Sequence, residues 1–144
     1  MEYKKIKFSK KDIEFIEYEY GDSSVPPEYH RSYKIRVEGL SLGIVVDSYG
    51  DIINKKSFKL TEGDIKEIFQ SLNKINFTKK YPSLTGCTGG VSKTVTIKTQ
   101  TDAFKTNIYY CGGKPSEKQT FEVDEFAKML ISKIPNFSEV LKRT

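Results

Sequence analysis

At 144 residues, 37% of them hydrophobic, the chain has apolar side chains for one core and too few for two, so residues 1–144 are expected to form a single domain. Two cysteines exclude a disulfide scaffold or a four-thiolate zinc site, and one histidine excludes most histidine-based metal centres. The net charge of +5 is uneven: residues 1–11 hold five lysines against Glu2, whereas residues 12–29 hold six acids and no lysine or arginine.

Residues 1–8 contain no apolar run suited to a signal peptide, and the longest such run, residues 42–46, is far too short for a membrane span. A cytoplasmic protein with reduced thiols and no membrane association is the expectation. The glycosylation patterns at Asn76 and Asn136 then carry no meaning.

Strand signals dominate the first sixty residues. Residues 5–8 alternate, and residues 12–20 are rich in isoleucine and aromatics. Ile13 and Phe15 share one parity while Ile16, Tyr18 and Tyr20 share the other, which points to a bulge or to two buried faces. Residues 21–29, with the pair Pro26-Pro27, form a loop. Tyr33, Ile35 and Val37 alternate with Lys34 and Arg36 as in a half-buried strand. Leu42, Ile44 and Val46 begin the next strand, residues 48–51 turn, and Phe58 and Leu60 mark a third. Thr61 then caps a helix, with Asp64 placed for a capping box. Ile65, Ile68, Phe69 and Leu72 give that helix one apolar face.

The second half repeats the pattern in outline. Val95 and Ile97 alternate, Phe104, Ile108 and Tyr110 follow, and Phe121 and Val123 take the place of Phe58 and Leu60. Asp124 would cap a helix bearing Phe126, Met129, Leu130 and Ile134, which Pro135 ends. Residues 138–142 add a last turn. The expected fold is α+β, an antiparallel β-sheet with two helices on one face; two βββα-like units at 30–75 and 91–134 would give this pattern, and so would any meander followed by a helix.

Few residues offer chemistry. The segment 86–94 lacks the spacing and the following helix of a phosphate loop. Residues 47–51 lack the alternating ligands of a calcium loop. A hairpin of residues 91–99 with 104–111 sets position 111 opposite 92 and brings Cys111 towards Cys87, a candidate redox pair. Cys87, His30 and Asp47 supply the residue types of a nucleophilic set but no local signature of one. No metal site and no cofactor is implied.

The segments S-V-P-P-E-Y-H-R-S-Y (24–33), V-D-S-Y-G-D (46–51), G-C-T-G-G (86–90) and Y-Y-C-G-G (109–113) together resemble a group of small uncharacterised bacterial proteins, over most of the chain from about Tyr18 onward. The resemblance implies a bacterial origin and carries no activity with it.

Scarce catalytic residue types and nine tyrosines favour a non-catalytic protein-binding role: a small bacterial immunity or inhibitor protein that masks a toxin or enzyme. The candidate binding residues are Tyr29, His30, Arg31, Asp47, Tyr49, Asp51 and Tyr109. The acidic run after Asp12 and the basic remainder should give two charged regions that steer a protein partner. A small enzyme or ligand-binding protein using the His30/Arg31, Asp47 and Cys87/Cys111 loops is the alternative. Nucleic-acid binding comes third, because the lysines are scattered among acids.

Overall fold

Alternating apolar residues decide the architecture. The computed structural model describes residues 4–22, 26–79, 91–110 and 117–142. In chain order come β1 (Lys4–Lys5), a single 3-10 turn, β2 (Ile13–Asp22), β3 (Ser32–Glu38), β4 (Ser41–Ser48) and β5 (Asp51–Lys59). Then follow α1 (Glu62–Leu72), β6 (Asn76–Phe77), β7 (Val91–Thr99), β8 (Ala103–Tyr110), α2 (Glu117–Ser132) and α3 (Phe137–Val140). The fold is α+β. Six antiparallel strands form one sheet in the order β5-β4-β3-β2-β7-β8, and β1 pairs with β6 in a small second sheet.

Register aligns the buried positions into rows across the sheet. Ile97, Ile16, Val37 and Leu42 make one row, and Val95, Tyr18, Ile35 and Ile44 the next. Every one of these side chains is buried. Ile65, Ile68 and Leu72 of α1 and Val123, Phe126 and Leu130 of α2 join the same core from above. Truncating Ile35 at the middle of this face should cost about 2–5 kcal/mol. The opposite face is polar, as expected when helices cover one side only.

The parity switch in β2 is a bulge between Ile13 and Phe15. Ile13 packs against the core, and Phe15 passes to the open face, where the Arg36 guanidinium lies 3.9 Å above its ring. The capping box at Thr61 and Asp64 is present in both directions. It fixes where α1 starts.

Three expectations need correction. Phe121 and Val123 lie in α2, which begins at Glu117, so among the described residues the second unit has two strands before its helix, and Asp124 lies inside that helix. The 5–8 strand stops at Lys5. In the β7–β8 hairpin Ser92 faces Tyr109, and the last pair is Val91 with Tyr110. The turn spans fewer residues than expected, because Thr99 and Asp102 close it with a 2.9 Å main-chain bond. Within the acidic run, Glu17 on β2 meets Arg36 at 2.7 Å and Lys34 at 3.7 Å, both on β3.

Candidate functional site

The loop at 26–31 and the β4–β5 turn meet at one corner of the sheet. Tyr29 and His30 both donate their backbone N–H to the Pro26 carbonyl, at 3.0 and 2.9 Å, which folds the Pro-Pro segment back on itself. The Ser48 hydroxyl then donates to the Pro27 carbonyl at 2.6 Å and ties the loop to β4. His30 falls between them and is only 3% exposed. A buried imidazole needs partners for both nitrogens. The Tyr49 N–H donates to Nδ1 at 3.3 Å, so the ring hydrogen belongs on Nε2, which lies 3.2 Å from the Ser32 hydroxyl.

The turn itself is strained. Tyr49 has φ 47° and Gly50 φ 92°, a pair of left-handed residues that tightens the hairpin. Glycine adopts this readily, but tyrosine there is an outlier. Asp47 holds the turn by accepting the Gly50 N–H at 2.9 Å. Tyr49 stacks on His30 with ring centroids 3.8 Å apart and planes 16° from parallel.

Arg31 is used structurally as well. Its Nε donates to the Leu141 carbonyl at 2.6 Å, and Nη1 donates to the His30 and Glu28 carbonyls at 2.6 and 3.5 Å. Asn54 of β5 donates to the Val140 and Lys142 carbonyls at 2.6 and 2.8 Å. Carbonyls that a helix end leaves without partners thus fasten α3 to the corner. Beside them, on the core face, Tyr33 stacks on Tyr20 at 5.2 Å and meets the edge of Phe137 at 5.3 Å. Burial, with Tyr20 and Asp124 adding to it, pushes the Tyr33 hydroxyl up to about 12. Lys93, close by on β7, pairs with Asp124 at 2.7 Å.

The structure therefore gathers six of the seven candidate residues, Tyr29, His30, Arg31, Asp47, Tyr49 and Asp51, in the loop and turn of this corner. Tyr109 stands apart on β8, four strand spacings from β4 or roughly 19 Å across the sheet. Cys87 and Cys111, and with them the redox pair and the nucleophilic set, lie outside the described residues. Ser32, Ser48 and the Leu141 carbonyl belong to the corner too. Their residue types carry no signal, and only the register Ser32 to Asp47 brings the two strand ends together.

Large apolar surface remains in the open here. Tyr29 is 71% exposed, Tyr49 51% and Ile52 62%, and among the described residues only Leu40 and Phe121 compare. Among these residues no group of three histidine, cysteine or carboxylate side chains is arranged to hold a metal ion, and no helix is long and apolar enough to cross a membrane. Comparison of the chain with family models, with curated proteins and with solved structures finds no match.

Proposed function

We propose that the chain is a non-catalytic protein-binding module, a small bacterial immunity or inhibitor protein that masks a toxin or enzyme in the cytoplasm. One observation supports this above the others: Tyr49 is held in a strained backbone conformation and stacked on a buried histidine, yet half of it faces solvent. Strain that the surroundings hold in place gathers at functional sites. A rigid, exposed tyrosine is an economical interface anchor, since little side-chain freedom remains to be lost on binding. Tyr29 and Ile52 widen the apolar patch around it. His30 speaks for scaffolding over general-base work, because both of its nitrogens are engaged and the ring is buried.

The test compares wild type with Tyr49→Asn as affinity-tagged baits in lysate of the native host. A polypeptide held in stoichiometric amount by wild type and lost from the variant supports the reading. Absence of any retained polypeptide, or a trace of the protein modifying many equivalents of a target, overturns it.

A further inference from the structure

The hydrogen bonds of the single histidine fix what a proton would do to it. His30 is buried and accepts the Tyr49 N–H on Nδ1 at 3.3 Å. Its Nε2 lies 3.2 Å from the Ser32 hydroxyl, whose oxygen accepts a hydrogen from the ring in either charge state. An imidazolium carries hydrogen on both nitrogens and has no acceptor left. The Ser32 contact survives that change. The Tyr49 contact does not, because two N–H groups then face each other across 3.3 Å and one must turn away.

The surroundings supply no counter-charge at the ring. Among the described residues no carboxylate meets either ring nitrogen. On its own loop the Arg31 cation donates to the His30 carbonyl at 2.6 Å, and Glu28 meets Arg31 through its main-chain oxygen. On the turn, Asp47 already accepts the Gly50 N–H at 2.9 Å, and Asp51 stands opposite Ser48 in the β4–β5 register. At the end of α3, Lys142 and Glu139 pair with each other at 3.0 Å. Cation–π attraction between a charged imidazole and the Tyr49 face would hold the two side chains together, but it gives the main chain no acceptor. Tyr49 is then left at φ 47° with one support fewer.

We infer that protonation of His30 unlatches Tyr49, so that the chain holds its partner at neutral pH and releases it in mild acid. The inference rests on the binding role proposed above and adds regulation to the same corner. Its sign follows from the donor count: the latch is complete while the ring is neutral and is lost when the ring is charged. Histidine changes charge between about pH 8 and pH 5. Asp64 of the α1 capping box, with its pKa lowered from 3.8 by the Thr61 backbone bond first, stays ionised over that range. The corner therefore opens while the start of α1 stays capped.

The experiment is an NMR titration. Since the chain has one histidine, its ring resonances are assigned without ambiguity. Wild type and His30→Asn are taken from neutral pH to about pH 5; the asparagine Oδ1 takes the place of Nδ1 and does not titrate. At neutral pH the wild-type ring should carry its hydrogen on Nε2. On acidification the Tyr49 amide resonance should move with the same midpoint as the ring. Its hydrogen exchange, corrected for the intrinsic effect of pH, should speed up about tenfold. In His30→Asn the same amide should stay still, and circular dichroism of both proteins should hold constant. Capture of the partner by wild type should weaken about tenfold at the acid end, and capture by His30→Asn should not change.

A ring that stays neutral down to about pH 5, or one that gains its proton with the Tyr49 amide unmoved, overturns the latch. An equal acid response in His30→Asn overturns it as well. The wild-type titration decides the question even where His30→Asn does not fold. It also needs no partner, so it fails separately from the proposed function. Capture that depends on Tyr49 without coupling between the ring and the amide removes only the latch. A latch that titrates without any captured polypeptide removes only the function.

Discussion

The rings of His30 and Tyr49 lie 3.8 Å apart and nearly parallel, and the Nδ1 of that same imidazole accepts the Tyr49 backbone N–H. One histidine thus holds both the main chain and the side chain of a residue that its own turn disfavours. A left-handed conformation costs a residue bearing a Cβ about 1–2 kcal/mol. An aromatic stack of this kind returns about 0.5–1.5 kcal/mol, and the hydrogen bond about as much again. The corner is held by compensation between the two.

Tyr49→Asn separates stability from function. Asparagine tolerates the left-handed region, so relief of strain should offset loss of the stack. Urea unfolding should move by less than about 1 kcal/mol while capture of the partner is lost. A large fall in stability would show that the stack holds the fold, and a retained partner would remove Tyr49 from the interface.

His30→Ala should behave in the opposite way. It empties a buried site and leaves the Tyr49 N–H without its acceptor, for a combined cost of about 2–4 kcal/mol. The melting temperature should fall by roughly 10 °C at this chain length. A change below about 1 kcal/mol would mean that the loop and the turn hold each other without the ring.

The sequence makes local features plain and hides those that depend on how separate segments meet. Thr61 and Asp64 announce a capping box because the two partners are three residues apart. The β2 bulge shows as a change of parity because strand side chains alternate. Phe121 and Val123 mislead through the same alternation. The decisive pattern there is the longer stripe of Val123, Phe126, Ala127 and Leu130 at helical spacing, which leaves Phe121 in solvent. His30 and Tyr49 stand out by residue type, yet their stack depends on the fold of a loop 19 residues from the turn.

Asp64 gives a prediction in acid. Its carboxylate accepts the Thr61 N–H at 2.9 Å and meets Lys133 of the segment after α2 at 3.0 Å, and these contacts, the Thr61 bond foremost, lower its pKa from the ordinary 3.8. A carboxyl with a lower pKa in the folded state stabilises fully above its unfolded value, and the contribution disappears as pH falls through the folded one. Lys133 mirrors this in alkali. Its hydrogen bond to Asp64 chiefly raises its pKa from 10.5, so its contribution is full below that value and is lost as pH rises through the raised one. Asp64→Asn should therefore flatten both ends of the curve of denaturation midpoint against pH. If the acid limb keeps its wild-type slope, other carboxylates govern it.

Tyr33 supplies the last prediction, again from burial. Desolvation first, then Tyr20 and Asp124, carry its hydroxyl from 10.0 to about 12, so the folded state keeps this proton where the unfolded chain releases it. The contribution to stability is full below pH 10 and is lost as pH rises from there towards 12. Tyr33→Phe keeps the stack on Tyr20 and the edge contact with Phe137, so at neutral pH it should change stability by less than about 1 kcal/mol. Phenolate absorbance tests the point without interference from lysines that titrate in the same range. Wild type should show a late phase near pH 12, after most of its nine tyrosines have ionised, and Tyr33→Phe should diminish it, with Tyr20, which burial also raises, remaining in both proteins. Ionisation of every tyrosine near pH 10 in folded wild type would place the Tyr33 hydroxyl in solvent, and the packing of Phe137 and α3 over it would have to be given up.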